Sequence, residues 1–222
     1  MNARLTIYTL GQTSILLDGH PITGLTSRTA EALLVYLMHQ HRPVSRQVLA
    51  DFFWDDRMPE RGAANLRTLL TMLRKSLGDY LLINRHTVAF NHKADYWLDA
   101  AVLEQGLARL AHALERTEPL DAETRAGLGA LLDLYRGDFL EGFFLSESRA
   151  FEEWTLQTQE RLRHHSAVAL RRLVATCLDE GDYQAGIQFA SQLLAIDSFD
   201  EAAHRQLMWL YVRSGHRNAA LE

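Results

Sequence analysis

The sequence predicts a mainly α protein, with an α+β part at the N-terminal end and an all-helical array behind it. Short β-prone runs occur between Arg4 and Trp97 and then cease. Beyond Trp97 the chain is rich in Ala, Leu, Arg and Glu at helical spacing. The last third also repeats itself at an interval of 34 residues, which is typical of stacked helix pairs. Together these observations indicate two parts with different architectures.

Composition and length are those of a globular protein. The chain has 222 residues, 47% of them hydrophobic and 23% charged, a balance that allows a folded core. No apolar run reaches the roughly 18 residues of a membrane span, and the N-terminus lacks the charged-then-apolar plan of a signal peptide. Cys177 is the single cysteine, which excludes an internal disulfide and indicates a reducing compartment. We therefore expect a cytoplasmic protein with no membrane partner.

Charge is distributed unevenly along the chain. The net charge is −5, yet residues 1–99 carry 11 Lys/Arg against 9 Asp/Glu, whereas residues 100–222 carry 12 against 19. Such an asymmetry suggests a part that faces nucleic acid joined to a part with another task. Because the N-terminal excess is only +2, any phosphate contact must come from local clustering.

The chain opens with strand signals. Arg4–Leu10 and Ser14–Leu17 are β-prone runs, and Asp18-Gly19 predicts a turn after which His20–Ile22 returns as a third strand. These segments predict a small antiparallel sheet.

Two helices are predicted next. Thr26 or Ser27 is placed to cap a helix over Thr29–His39. A proline then breaks the chain, and Ser45 caps a second helix over Arg46–Trp54. Trp54 is expected to fill the core and not to contact DNA.

The stretch Glu60–Gly78 predicts a third helix with one apolar face. Its apolar residues recur at steps of three and four, the spacing of a single helical stripe: Ala63, Leu66, Leu70, Leu73 and Leu77. Gly78 stands where a left-handed C-cap is expected. The opposite side carries basic and hydroxyl-bearing residues, so it is either a DNA-contacting surface or an ordinary solvated face.

A hairpin is predicted after the third helix. Tyr80–Ile83 and Thr87–Phe90 are β-prone runs, and Asn84-Arg85-His86 forms a basic tip between them. The order of strands, three helices and hairpin is that of a winged helix-turn-helix. In that fold the third helix enters the major groove and the hairpin touches the adjacent backbone or minor groove.

In the C-terminal part, the helical spacing of apolar residues predicts helices over Ala100–Leu114, Glu123–Tyr135, Ser148–Leu173 and onward. The last third repeats after 34 residues, which is the period of the tetratricopeptide (TPR) helix pair. This shift aligns Leu173 with Leu207, Val174 with Met208, Leu178 with Val212, Gly181 with Gly215, and Ala185 with Ala219. Ser198 and Gly186 depart from the usual proline and alanine of that repeat, so the array is TPR-like. The second repeat stops at Glu222, and we expect the chain to be truncated there from a longer protein.

Several segments, taken in order, resemble the antibiotic-regulatory-protein (SARP) family of transcriptional regulators. Three look like its OmpR-type winged helix: RLTIYTLGQTSILLDG, LTSRTAEALLVYLMHQHRPVSRQVLADFFWDD and NLRTLLTMLRKSLG. Three are similar to the bacterial transcriptional activation domain that follows it: LLDLYRGDFLEGF, FEEWTLQTQERL and DEGDYQAGIQFASQLLAIDSFDEAAHRQLMWLYVRSGHRNAAL. The resemblance covers essentially the whole chain and implies a winged-helix DNA-binding domain at 1–98 and an activation domain at 99–222.

The resemblance implies an activator that binds promoter DNA and helps to recruit RNA polymerase. Family members commonly use direct repeats, so it also leaves open a head-to-tail homodimer on double-stranded DNA. OmpR-type recognition helices usually carry more basic residues in the middle turn, where this chain has Leu69, Thr71 and Met72. No receiver domain precedes the winged helix, so phosphorylation control of that kind is not implied.

The predicted DNA contacts of the third helix lie off its apolar stripe. Arg67, Thr68 and Thr71 are expected to reach base edges, because arginine donates in pairs to guanine and threonine bonds a base or packs on a thymine methyl. Arg74 and Lys75 are expected to contact phosphates. The complete predicted set on this helix is Arg61, Asn65, Arg67, Thr68, Thr71, Arg74 and Lys75.

Further contacts are predicted at two helix N-termini and at the hairpin tip. Backbone N–H groups and the helix dipole favour a phosphate at a helix N-terminus, although a serine there also serves as a plain N-cap. The hairpin tip suits backbone or minor-groove contact, with a solvated turn as the alternative. The predicted residues are Thr26, Ser27, Arg28, Ser45, Arg46, Arg85, His86 and Thr87.

Catalytic, metal and cofactor motifs are missing from the sequence. It contains no Gly-rich phosphate loop, GxSxG or HExxH motif, so we expect no enzyme activity. The pairs His39/His41 and His164/His165 lack the spacing of metal ligands, so no metal or cofactor is expected. Cys177 lies on an apolar helical face and is expected to be buried.

A second hypothesis keeps the fold without DNA. The winged helix would then dock a protein, and the chain would be a regulatory scaffold; the near-neutral N-terminal half motivates this alternative. A continuous positive strip over the third helix and hairpin favours DNA, whereas an apolar patch there favours a protein partner.

Overall fold

The computed structural model describes residues 4–22, 24–25, 27–55, 59–115 and 119–215. The chain divides into two compact units. The first comprises Met1–Leu98 and Leu140–Thr158, and the second comprises Asp99–Phe139 and Gln159–Glu222. The first break between the units falls after residue 98, but the segment Leu140–Thr158, which was predicted to lie in a second domain at 99–222, belongs to the first unit.

The first unit contains two small sheets and three helices. In chain order its elements are β1 (Leu5–Tyr8), β2 (Ser14–Leu17), β3 (His20–Pro21), α1 (Arg28–His39), β4 (Val44–Ser45), α2 (Arg46–Phe53), α3 (Pro59–Leu77), β5 (Leu81–Ile83), β6 (Thr87–Phe90) and β7 (Tyr96–Leu98). One sheet has the strand order β3-β2-β1-β7 and the other β4-β6-β5.

The N-terminal sheet follows from a tight hairpin. Asp18 and Gly19 have φ values of 53° and 79°, the left-handed pair that a two-residue hairpin loop with the right strand twist requires. β1 and β2 are antiparallel as predicted. β7 was not predicted; it pairs parallel to β1, with Leu5 opposite Tyr96.

The three helices bury their apolar stripes against one another. Leu66, Leu70, Leu73 and Leu77 of α3 are all buried, as the spacing predicts. Leu69 is also buried, with 7% of its surface exposed, so it belongs to the core and not to the exposed middle turn. Trp54 is buried as predicted, with 5% exposed. Gly78 has a φ of 49° and is followed by a single 3-10 turn, Gly78–Tyr80.

The segment Leu140–Thr158 packs within the first unit. The Leu140 N–H donates to the Thr9 carbonyl (2.7 Å), and Ser148 Oγ donates to the Phe52 carbonyl (2.6 Å). Aromatic rings from α1, α2 and this segment pack edge-on or tilted on one another: Tyr36, Phe52, Phe53, Phe151 and Trp154. These contacts complete the core beneath the helix-turn-helix.

The second unit is helical in the residues described. Its helices are α4 (Asp99–Glu115), α5 (Ala122–Leu132), the 159–180 portion of α6 (Arg149–Glu180), α7 (Tyr183–Ile196) and α8 (Glu201–Arg213). α5 ends three residues before the predicted Tyr135. Cys177 is buried, as predicted.

The 34-residue repeat has a structural counterpart. Gly181 and Gly215 both adopt left-handed φ values, 76° and 86°, where a helix ends. Gly186 replaces the usual alanine because α7 and α8 are closely packed: a Cβ there would lie 2.7 Å from Leu210 Cδ2. The last matched pair includes Ala219, which lies outside the described residues.

Candidate nucleic-acid interface

The exposed face of α3 consists of three parallel lines of side chains. A helix turns by about 100° per residue, so residues spaced by three or four share a line. The central line begins with Arg61 and continues through Ala64, Thr68, Thr71 and Lys75. All five residues are exposed. Arg67 and Arg74 form one edge and are exposed, whereas Asn65 and Met72 form the other edge and are half-buried. The structure thus brings all seven predicted residues of this helix to one surface.

Both threonine hydroxyls on this surface donate to the helix itself. Thr68 Oγ1 donates to the Ala64 carbonyl at 3.2 Å, and Thr71 Oγ1 donates to the Arg67 carbonyl at 2.9 Å. Each hydroxyl carries one hydrogen and two acceptor lone pairs. In this conformation the oxygens can still accept a hydrogen bond, and the γ-methyl groups remain available for apolar contact.

The C-terminal half of α3 borders an open concavity. Its lining consists of Gly24, Arg67, Thr68, Thr71, Met72, Lys75 and Ser76. Gly24 has a φ of 106°, and a Cβ there would lie 3.0 Å from Ser76 Oγ. Any larger residue at position 24 would therefore strain the loop and press on α3. The loop before α1 is thus fitted to the last turns of α3.

The N-terminus of α2 is capped as predicted. Ser45 Oγ accepts a hydrogen bond from the Val48 N–H at 3.1 Å, which satisfies one of the free N–H groups of the first turn. Arg46, the first residue of α2, is half-buried. Its backbone N–H donates to the His86 carbonyl at 2.9 Å, so the start of α2 is tied to the hairpin tip.

The N-terminus of α1 differs from its prediction. Ser27 stands at the N-cap position, but its side chain makes no capping hydrogen bond. Arg28 is exposed, and its guanidinium lies 5.4 Å from the centroid of the Phe143 ring. That distance is a cation–π contact, so this arginine has an intramolecular partner. Thr26 lies outside the described residues.

Asn84 organises the tip of the hairpin β5–β6. Its Oδ1 accepts from the His86 N–H (2.8 Å) and the Thr87 N–H (2.7 Å), while its Nδ2 donates to Thr87 Oγ1 (2.8 Å). Arg85 and His86 are exposed at this tip, and Thr87 is half-buried. From the sequence, Asn84 was predicted only to be part of the hairpin turn. The known tendency of asparagine to bond its own backbone two residues on was the available signal.

A short strand joins the helix-turn-helix to the hairpin. Ser45 pairs with Thr87 and Val44 with Val88, between β4 and β6. The winged helix is therefore built from a continuous three-stranded sheet, β4-β6-β5. Because β4 leads directly into α2, the capped start of α2 and the hairpin tip are held together by backbone pairing.

Cations dominate the combined surface of α3 and the hairpin tip. Arg61, Arg67, Arg74 and Lys75 are exposed along α3, and Arg85 is exposed at the tip. Glu60 is an exposed acidic residue in the first turn of α3, and Asp79 follows the helix. The large apolar side chains that are strongly exposed in the first unit, namely Val48, Leu82, Phe144 and Leu156, lie on other elements. The positive strip therefore runs along α3 itself.

The fold defines the class of this protein: a winged helix-turn-helix followed by a helical array. The structure of Mycobacterium tuberculosis EmbR in complex with a low-affinity phosphopeptide is similar to it, with a TM-score of 0.65 and 22% sequence identity. The similarity covers 99% of this chain and 57% of that chain, so this chain spans little more than half the length of EmbR.

The chain belongs to the family of the bacterial transcriptional activator domain, which matches residues 98–222. Its family and fold are those of transcriptional regulators. A comparison with curated proteins gives no match. Among the helices of the described residues, none is long and apolar enough to span a membrane.

Proposed function

We propose that this protein is a SARP-type activator whose OmpR-type winged helix binds promoter DNA sequence-specifically. The observation that carries the proposal is the exposed face of α3, where four cations flank two threonines next to a basic hairpin tip. An α-helix fits the major groove, and Arg, Lys and Thr are the side chains that contact phosphates and base edges there. This activity would place the protein in the cytoplasm.

In the proposed complex, α3 reads bases while its flanks contact the backbone. Thr68 and Thr71 on the central line face the bases, with Arg67 beside them. Arg74 and Lys75 near the C-terminal end contact phosphates, as does the tip residue Arg85 with its neighbours His86 and Thr87. The capped start of α2, at Ser45 and Arg46, supplies a further phosphate contact, because helix N-termini attract anions.

The helical unit would contact the transcription machinery. Stacked helix pairs present extended surfaces to protein partners. The helical unit, residues 99–139 and 159–222, carries 11 Lys/Arg against 16 Asp/Glu, a net charge of −5 that disfavours DNA contact there. We therefore assign RNA polymerase recruitment to this unit. Two copies in head-to-tail orientation on a direct repeat remain part of the proposal.

Fluorescence anisotropy with genomic promoter fragments tests DNA binding. We expect affinity that falls steeply between 50 and 200 mM salt, since binding releases counterions. Arg67→Ala should weaken binding by about 1–3 kcal/mol and relax the preference at one base pair. Footprinting of the bound fragment then gives the site, its spacing and the stoichiometry. Salt-insensitive binding, or none with any fragment, would refute the proposal.

The alternative is a scaffold that docks a protein through the winged helix. Leu82 on β5 is 55% exposed and Val48 on α2 is 51% exposed, which supplies apolar surface near the hairpin. Both residues lie off the positive strip of α3. Leu82→Ser combined with Val48→Ser should leave DNA affinity unchanged under the main proposal and abolish partner binding under the alternative.

A further inference from the structure

The chemistry of the central line of α3 specifies which base pairs it can recognise. At its middle this line carries no group that is free to donate: Ala64 offers a methyl group, and Thr68 and Thr71 have committed their hydroxyl hydrogens to the Ala64 and Arg67 carbonyls, at 3.2 and 2.9 Å. What remains is a strip of three methyl groups with two acceptor oxygens. Cationic donors stand only at its ends and along one edge.

The major groove offers different groups at the two kinds of base pair. A G·C pair presents the guanine N7 and O6 acceptors, which require donors from the protein, and the cytosine N4 amino donor. An A·T pair presents the adenine N7 and thymine O4 acceptors, the adenine N6 amino donor and the thymine 5-methyl group. Both kinds of base pair offer an amino donor to the threonine oxygens, so the methyl groups make the distinction: they can pack on the thymine methyl of an A·T pair, whereas a G·C pair carries no methyl group.

The opposite edge of α3 reinforces this chemistry. Met72 is half-buried and lines the same concavity as Thr68 and Thr71. Its thioether is polarizable and apolar, so it extends the methyl strip towards the C-terminal turn. Arg67 and Arg74, two turns apart on the other edge, are positioned for the phosphates or outer bases that border the strip.

We propose that the ligand of this surface is a DNA site with A·T pairs at its centre, recognised through thymine methyl groups. The inference rests on the proposed DNA-binding function and names the class of DNA that it selects. Thr68 and Thr71 are the specificity-determining residues: each γ-methyl packs on a thymine methyl, and each Oγ1 accepts from an adenine amino group.

Uracil in place of thymine tests the methyl contacts directly, because uracil lacks only the 5-methyl group. The probe is a duplex recovered by selection from a random-sequence library with the intact chain. Replacing its central thymines by uracil should weaken binding about fourfold per contacted methyl, the equivalent of burying one methyl group. The salt dependence should not change, since no phosphate contact is lost.

Two variants at one position separate the methyl from the oxygen. Thr71→Ser keeps the hydroxyl and removes the methyl, so its uracil penalty should be about fourfold smaller than that of the parent, with only the part that Thr68 contributes remaining. Thr71→Val keeps a methyl at the same place and removes the oxygen, so it should retain the full uracil penalty. Thr124→Ser, in the second unit, is the matched control and should behave as the parent does.

The outcomes are distinct. A uracil penalty that is equal in the parent and in Thr71→Val, and about fourfold smaller in Thr71→Ser, supports the inference. Salt-dependent binding to a selected duplex with guanine-dependent contacts at its centre, or with no uracil penalty, overturns the inference and leaves the proposed function intact. The lack of salt-dependent binding to any duplex would refute both.

Discussion

The carboxylate of Asp55 caps a helix that begins 94 residues later in the chain: its Oδ2 accepts a hydrogen bond from the Arg149 N–H at 3.1 Å. The Ala150 N–H donates to the same oxygen at 3.3 Å, and Ser148 Oγ accepts from the Phe151 N–H at 3.0 Å. Two of the free N–H groups at the start of α6 are therefore satisfied by the distant Asp55, and a third by Ser148, the residue just before the helix. The negative charge also lies at the positive end of the helix dipole.

Removal of this cap should destabilise the first unit. Asp55→Ala leaves two N–H groups of the first turn without their acceptor, and we expect a loss of about 1–2 kcal/mol in the free energy of unfolding. Urea denaturation measures it. Asp51→Ala is the control, because Asp51 is exposed and bonds only within α2, to Gln47 at 2.8 Å. Equal effects of the two substitutions would contradict the capping role.

Lys75 is expected to act through charge alone. It is exposed at the C-terminal end of the central line of α3, where a phosphate contact is proposed. Lys75→Ala should weaken binding to all sequences about equally and reduce the slope of log affinity against log salt by about one. Anisotropy at several salt concentrations measures the slope. Lys93→Ala, a lysine outside α3 and the hairpin, should leave it unchanged.

Asn84 is expected to raise DNA affinity because its hydrogen bonds hold the hairpin tip in one conformation before DNA binds. Asn84→Ala removes three side-chain hydrogen bonds, to His86 and Thr87. Binding must then order the tip, which opposes association, so we expect three- to tenfold weaker DNA binding. The free energy of unfolding should fall by about 1 kcal/mol. Unchanged affinity in anisotropy would show that the tip does not contact DNA.

Two glycines in the second unit should respond oppositely to alanine. A Cβ at Gly186 would lie 2.7 Å from Leu210 Cδ2 and 3.3 Å from Cys177 Cβ, both in the core. Gly186→Ala should therefore cost about 1–2 kcal/mol of stability, since overpacking outweighs the gain in helix propensity. Gly127 is the control: nothing lies within 4 Å of its added Cβ. Gly127→Ala should stabilise the protein by up to about 1 kcal/mol, and thermal unfolding distinguishes the two.

Asp200 should make stability depend on pH. It accepts from the Ala203 N–H (2.9 Å) and pairs with Arg171 (2.8 Å), and these partners hold the pKa of Asp200 below its usual value. A carboxylate whose pKa is lower in the folded state stabilises fully above its unfolded pKa of about 3.9 and loses this effect as pH falls through the folded value.

Asp200→Asn keeps the capping oxygen and removes the charge. We expect the variant to be roughly 1 kcal/mol less stable than the parent at pH 7, and the difference to shrink towards pH 3. Urea midpoints across this range measure it. Asp179→Asn, an exposed position on α6, serves as control. A difference that stays constant with pH would show that the charge of Asp200 does not matter.

Sequence patterns correctly predicted those parts of the winged helix that are determined by residues close together in the chain. The periodic stripe of α3, the cap at Ser45 and the Asp18-Gly19 turn all follow from residues close in sequence, and the structure confirms each. Leu69 was misassigned although its spacing, three after Leu66 and four before Leu73, places it on the buried stripe.

Elements that depend on distant partners were missed. β4 is two residues long and β7 three, too short for an alternating pattern, and each exists because a strand elsewhere pairs with it. The packing of Leu140–Thr158 in the first unit depends on contacts such as that of Ser148 with Phe52. The direction of the Thr68 and Thr71 hydroxyls depends on helix geometry and cannot be predicted from composition.

The pairing of Ser45 with Thr87 has a mechanical consequence. Backbone hydrogen bonds fix the distance between the start of α2 and the hairpin tip. The two proposed phosphate contacts are therefore held at a constant separation. This separation does not change when the protein binds DNA. In the proposed complex the duplex must therefore adjust its groove width to the protein, and sequences that deform easily would be preferred even at base pairs that no side chain touches.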